Sequence, residues 1–239
     1  MIGLLILSTL VFAQTGDSLI DEAIVLYETR HLNADNLMKS AEIFERLLEQ
    51  EPDNVHALSE YARVYYLLGD AASTKEEKLA LYEKGRDLAK RAVKLDDKAV
   101  WAHFWYIVNV GRIGQTKGVL NSLASVPEIK KELDRIFELD PRHTGALDVK
   151  AMLYYELPGL LGGNTDKSYE ALKQGIAIDS NYSLLYVDMG KVLIKKKEYD
   201  EARWYLKKTL EIKAPTYEAD FVLDDRSDAL ELLEEIKDK

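Results

Sequence analysis

The stretch Gly159 to Ser168 invites a chemical reading first, because three glycines and a Lys167-Ser168 pair stand just ahead of a helical pattern, as in loops that wrap a phosphate. The spacing decides against it. A phosphate loop follows a strand and places glycine directly before its lysine, so that backbone N–H groups can turn toward the anion. Here Asp166 holds that position and a helical pattern precedes the loop. The stretch reads instead as a glycine turn that lets helices over 145–157 and 166–178 pack closely, with Asn164 or Thr165 as N-cap. The four histidines, His31, His56, His103 and His143, lie far apart, with no His-x-x-x-His pair and no carboxylate at ligand spacing. His143 follows Asp140-Pro141 in a turn, and His103 lies on an apolar helical face. No Gly-x-Ser-x-Gly elbow nominates a nucleophile, and carboxylates are too plentiful to single out an acid–base pair. The expectation is a protein that is not an enzyme and holds no metal and no cofactor. An enzyme would need His56 or His103 to meet a carboxylate in a pocket.

Composition narrows the partners. Among 239 residues, 32 Lys and Arg face 42 Asp and Glu, a net charge of −10, the wrong sign for gripping nucleic acid or an anionic lipid surface. Cysteine is absent, which removes disulfides, thiol catalysis, Cys-ligated zinc and lipid attachment to an N-terminal cysteine. Residues 2–13 form an uncharged apolar run ending in Val11-Phe12-Ala13 and followed by Gln14-Thr15-Gly16-Asp17. That is the outline of a signal peptide with its cleavage site, too short for a stable transmembrane anchor. Only the α-amino group supplies the positive end. Residues 1–13 are therefore expected to be a signal peptide, 14–239 the mature domain, and the location periplasmic or secreted.

The elements that would carry any site are helices. Apolar residues recur at three- and four-residue spacing, as at Ala41, Phe44, Leu47, Leu48 and at Ala202, Tyr205, Leu206, Leu210, and no stretch sustains a period of two. All five prolines (Pro52, Pro127, Pro141, Pro158, Pro215) are read as lying between helices or in a first turn. Ser73-x-x-Glu76 and Ser125-x-x-Glu128 read as capping boxes at helix starts. Residues 183–216 fit the 34-residue tetratricopeptide (TPR) pattern: Met189-Gly190 for a close helix crossing, Tyr199-Asp200-Glu201-Ala202 opening a second helix, and Pro215 after its end. Earlier units close at Leu47–Pro52 and Ile136–Pro141. The expected fold is all-α, a TPR-like right-handed superhelical array of about five helix pairs. Insertions lengthen it near 70–94 and in 144–182. The tail 216–239 holds nine acids against three bases, yet spaces Ala229, Leu230, Leu232, Leu233 and Ile236 amphipathically. It is expected to cap the last pair, which carries an excess of bases over 189–213.

Three stretches exceed the generic pattern: Phe104 to Arg112, Met152 to Asn164 and Asp225 to Leu233. Together they resemble the TatT family, the TPR component of TPR-associated TRAP transport systems, over most of 20–236. The tyrosine pair followed by Leu157-Pro158-Gly159-Leu160-Leu161-Gly162-Gly163 is the most specific element, and a more distant likeness exists to the regulator-of-microtubule-dynamics TPR domains. The TatT resemblance implies an envelope protein working beside a periplasmic solute-binding protein that delivers organic acids or apolar ligands. Its members are typically lipid-anchored; without cysteine, that tether does not carry over.

In TPR geometry the first helix of each pair lines the concave face. Repeat arithmetic places Arg63, Tyr66, Trp101, Phe104, Arg112, Met152, Tyr155 and Lys191 there, beside His56, Asp148 and Val187. These eight are the expected ligand- or partner-binding residues, the aromatics supplying apolar contact and Arg63, Arg112 or Lys191 orienting a carboxylate. The expected function is a non-catalytic exported scaffold binding a solute-binding protein and a hydrophobic or organic-acid ligand. The alternative is an envelope hub that binds a peptide segment of another protein. Homo-oligomerisation is left open.

Overall fold

The computed structural model describes residues 16–239. The expected signal peptide at 1–13 lies outside them. Ten helices form five antiparallel pairs: α1 (Gly16–Glu28) with α2 (Asn36–Gln50), α3 (Val55–Ala71) with α4 (Lys75–Leu95), α5 (Val100–Lys117) with α6 (Val119–Leu139), α7 (Thr144–Glu156) with α8 (Thr165–Ile178), and α9 (Ser183–Lys196) with α10 (Tyr199–Glu211). There is no strand among the described residues. Each pair exposes an apolar stripe that only a neighbour can cover, so the pairs stack and their cores merge. One cluster joins Ile20 and Tyr27 to Phe44 and Tyr61, a second centres on Trp105 and Ile107, and a third runs from Ala151 to Leu206 and Ile236.

The insertion near 70–94 is absorbed as helix length, since α4 runs for 21 residues. Its cap differs by one residue from the expected box: Thr74, and not Ser73, accepts from the Glu77 N–H, while the Glu77 carboxylate accepts from the Thr74 N–H. The box expected at Ser125 is absent. α6 begins six residues earlier, at Val119, and runs through Pro127 in its interior. The Ser125 hydroxyl donates back to the Ser122 carbonyl, so it serves a continuing helix and not a start. Asn164 does cap α8, accepting from the Lys167 N–H.

The glycine turn between α7 and α8 is tightly constrained. Gly162 has φ +98°, in the left-handed region, and a Cβ on Gly163 would stand 1.7 Å from the Leu157 carbonyl oxygen. The Gly163 N–H donates to the Pro158 carbonyl and the Asn164 N–H to that of Tyr154, which folds the loop back on the end of α7.

After α10 the chain crosses the concave side. Thr216 bonds to Asn181 and Asp179, then α11 (Glu218–Asp220), a π-helical turn (Phe221–Asp225) and α12 (Arg226–Glu235) follow without a break. α12 caps the fifth pair as expected, burying Ala229 and Ile236 against it. Arg203 of α10 adds a polar contact, donating to the Ile236 carbonyl just after α12 at 3.0 Å. No ion pair joins α12 to the bases of 189–213 among the described residues; those bases pair with Asp188, Asp166, Glu198, Asp200 and Glu211.

Gly163→Ala should cost about 1–3 kcal/mol, because its Cβ meets fixed backbone. Gly159→Ala, with nothing within 4 Å of its Cβ, should be close to neutral. Urea unfolding of both variants checks the contrast, and equal midpoints would show the loop to be looser than described.

Candidate functional site

Five of the eight nominated residues come together. Trp105 lies at their centre, buried, its ring stacked on Tyr66 at 5.7 Å and Trp101 at 6.3 Å and edge-on to Phe104 at 4.9 Å. Trp101 and Phe104 close around His143 at 4.6 and 4.7 Å. The α3 and α5 spacing produces this, since residues three and four apart share a helix face and the two helices run side by side. Trp101 keeps 44% of its surface exposed and is the accessible edge of the group. Arg112 joins it over Tyr66, donating to the Tyr66 hydroxyl at 3.2 Å and to Asp70 at 2.9 Å. Burial pushes the Tyr66 hydroxyl up to about 12, while the Tyr66 oxygen and Asp70 together hold the Arg112 proton in place against the cost of its own burial.

Arg63 is placed differently from the other cations. Its guanidinium is buried, sandwiched at 4.5 Å from the Tyr27 ring, 5.3 Å from Trp105 and 5.2 Å from Tyr217. Nη1 donates to the Tyr27 hydroxyl at 3.1 Å, which in turn donates to Glu60 at 2.6 Å. Nε has no hydrogen-bond partner, and no carboxylate lies within ion-pair distance of Arg63 among the described residues. Arg30, at the end of α1, forms an ion pair with Asp220 and donates from Nη1 to the Tyr27 carbonyl at 3.1 Å. Tyr217 packs edge-on to Tyr182 at 5.0 Å. The concave face at α1, α3 and α9 is thus occupied by the chain's own segment 216–225.

The remaining three residues form a second region. Met152 is half-buried on α7. Tyr155 carries Lys195 4.3 Å above its ring, and the same ammonium donates to the Tyr155 carbonyl. Lys191 pairs with Asp188 at 2.8 Å. The expectation that Arg112 or Lys191 waits for a ligand carboxylate is corrected here: each already has one from the chain itself. This half of the groove is acidic. Asp148, Asp188 and Asp225 are all buried, the Ser183 hydroxyl donates to Asp225 at 2.5 Å, and one oxygen of Asp148 has no partner. Burial, with Asp188 hydrogen-bonded beside it, pushes the Asp148 carboxyl well above the carboxylate range. Burial opposes the charge on Lys191, but Asp188, Asp228 and Asp148 outweigh it and raise its proton affinity.

Two of the four histidines have structural work. His143 caps α7, accepting from the Ala146 N–H, and burial lowers its proton affinity. His103 is buried between Glu132 at 2.6 Å and the Asp97 carbonyl at 3.0 Å. Two surface cavities, of about 510 and 350 Å³, lie elsewhere. One opens between Phe137, Leu147, Lys150 and Gln174, and the other between Tyr154, Tyr155, Asn164 and Lys195. Of the eight nominated residues only Tyr155 lines either. No group of three or more His, Cys, Asp or Glu among the described residues is arranged to hold a metal ion. Sequence reasoning missed Tyr27, Arg30, Trp105 and the pairing of Tyr217 and Asp220 with the groove; a tyrosine three residues ahead of an aspartate in the tail was the available signal.

Asp225 gives a measurable consequence. Its carboxyl rises from 3.8 to about 7, chiefly by burial, with Asp220, Asp188 and Asp224 adding to the shift and the Ser183 hydrogen bond opposing it. Between those two values the folded chain holds a proton that the unfolded chain has released, so stability falls as pH rises through the window and levels off above it. Asp225→Asn keeps an acceptor for Ser183 and removes the titration. Its stability relative to the parent should therefore improve by about 4 kcal/mol between pH 4 and pH 8, and urea midpoints of the two proteins that stay parallel across pH would contradict this.

Likeness to known proteins bears on what this geometry serves. The sequence profile of the family Regulator of microtubule dynamics protein 1-3 matches residues 19–160. Regulator of microtubule dynamics protein 1 of Bos taurus is 24% identical over 228 residues, spanning 86% of this chain and 71% of its own. That of Mus musculus is 25% identical, spanning 84% and 74%. Among solved structures, a thermophilic TPR protein of Thermus thermophilus superposes with TM-score 0.68 at 18% identity, over 90% of this chain and 100% of its own. A TPR protein of Parabacteroides merdae gives 0.57 at 14% identity, over 93% and 77%. These two share the helical-repeat fold. The family match overturns the expected TatT membership and the transport function drawn from it. The periplasmic or secreted location falls with it, and the solute-binding-protein partner loses the resemblance that carried it.

Proposed function

Because the chain belongs to the regulator of microtubule dynamics protein 1-3 family, we propose that it is a non-catalytic helical scaffold that binds a partner protein through its concave face and thereby acts on microtubule dynamics, as the names of its mammalian relatives say of them. The observation that carries the reading is the peptide already lying in the groove. A surface of Tyr27, Arg63, Trp105 and Tyr182 receives the extended run through Tyr217 and the short helix after it. Aromatic faces and guanidinium groups are the types that dominate protein-binding surfaces, since they bury large area with few rotors to freeze.

A non-catalytic role agrees with where the reactive groups are. His103 and His143 cap and brace helices and line neither cavity. Binding would work by shape, burial and ion pairing, with Trp101 as the exposed edge on which a partner first lands.

Microtubules grown from purified tubulin, observed by interference microscopy with the chain at the concentration of tubulin, test this. The expected outcome is a change in growth rate or catastrophe frequency, reduced about tenfold in potency by Trp101→Ala. Unchanged growth and catastrophe with a correctly folded chain would sink the microtubule reading.

A further inference from the structure

We propose that residues 216–225 are a stand-in ligand, and that the groove around Arg30 and Arg63 takes an acidic peptide segment of a partner protein, with an aromatic residue at the place of Tyr217 and a carboxylate three residues on. The inference rests on the reading of the concave face as a partner-binding surface and names the chemistry of what binds there.

The segment shows what the groove accepts. Tyr217 lays its ring against the Arg63 guanidinium and the Tyr182 ring, Asp220 pairs with Arg30, and Asp225 receives the Ser183 hydroxyl. Both cations are deeply set, with Arg63 8% exposed and the Arg30 side chain 9%. It also shows what the groove lacks. Arg63 has no carboxylate in direct contact, meeting Glu60 only through the Tyr27 hydroxyl and Asp220 only at a distance, and its Nε is without an acceptor. Taking a guanidinium out of water is costly unless an anion or a full set of acceptors replaces the lost hydration. The chain's own segment supplies an aromatic face and a carboxylate for Arg30, and leaves Arg63 incompletely matched. A partner peptide that adds a carboxylate at Arg63 would gain a charge-assisted hydrogen bond that the tail does not make.

The tail is also seated on one side only. Val222 and Leu223 are each 49% exposed, so the turn lies over the groove without being enclosed by it. A tethered segment competes at an effective concentration on the order of millimolar, which lowers the apparent affinity of any outside peptide by the fraction of molecules in which the groove is open. Weakening the tether should uncover the site without altering the residues that line it.

The test uses the full chain and a fluorescent peptide of residues 214–226. In the double variant Tyr217→Ala, Asp220→Asn, the peptide should bind about tenfold or more tightly than to the parent chain. Adding Arg63→Gln, which removes the guanidinium that the Tyr217 ring lies against, should remove about tenfold of that affinity, and replacing the peptide's aspartates by asparagine, which removes the ion pair to Arg30, should do the same. In the parent chain, where every variant question is avoided, saturating peptide should speed amide hydrogen exchange over 216–225. Equal affinity of a folded double variant and the parent, indifference to Arg63→Gln, or unchanged exchange at saturation would each overturn the proposal. So would concentration-dependent dimerisation of the parent chain that excludes the peptide, since the groove would then belong to the tail of a second copy. A positive peptide result with inert microtubules separates this inference from the reading above, and active microtubules with no peptide binding separate them the other way.

Discussion

Arg30 on the first helix pair and Ser183 on the fifth both bind the same short stretch of chain, through Asp220 and Asp225. Five residues of helix advance about 7 Å. Five first helices laid side by side in a flat row, at 8–10 Å between axes, would span roughly 35 Å. The two facts are compatible only if the array curls until its ends face one another across the concave side. Curvature is therefore tied to the tail, and the aromatic group on α3 and α5 lies on the inside of the bend that the tail holds.

That constraint explains the division of charge inside the groove. The first half presents guanidinium groups against aromatic faces, and the second presents Asp148, Asp188 and Asp225. The tail, itself acidic, sits with its aspartates toward the arginines at one end. At the other end it is forced to bring Asp225 beside two further carboxyls, where a bound proton relieves the repulsion. The same segment is held by opposite charge at one anchor and by a hydrogen-bonded carboxyl at the other.

Much of the scaffold was legible in the sequence, for physical reasons. Helix pairing follows from the spacing of apolar residues. Gly190 was readable as a close crossing because a small residue at that repeat position lets Leu206 of α10 approach: a Cβ there would stand 2.5 Å from that side chain. Asn164 was readable as a cap because its amide oxygen satisfies an otherwise orphaned N–H. Local signals failed where two neighbours compete, as with Ser73 and Thr74, or where a helix tolerates what usually ends it, as at Pro127. Repeat arithmetic brought Arg63, Tyr66, Trp101, Phe104 and Arg112 to one surface. It said nothing of what would cover them, because the Arg30–Asp220 contact joins residues 190 apart in sequence. Nor does counting bases and acids show pairing: Arg112 and Lys191 read as free cations until Asp70 and Asp188 were seen beside them.

A repeat array built only from nearest-neighbour interfaces can begin folding anywhere and fray from either end. The tail changes the topology of that process, since it ties the first pair to the fifth through an ion pair that spans 190 residues of sequence. Loop-closure entropy makes such a contact late, after the local pairs have formed. During synthesis the first four helix pairs emerge before residues 216–225 exist outside the ribosome, so the nascent protein has an open groove and acquires its occupant only after the scaffold that receives it.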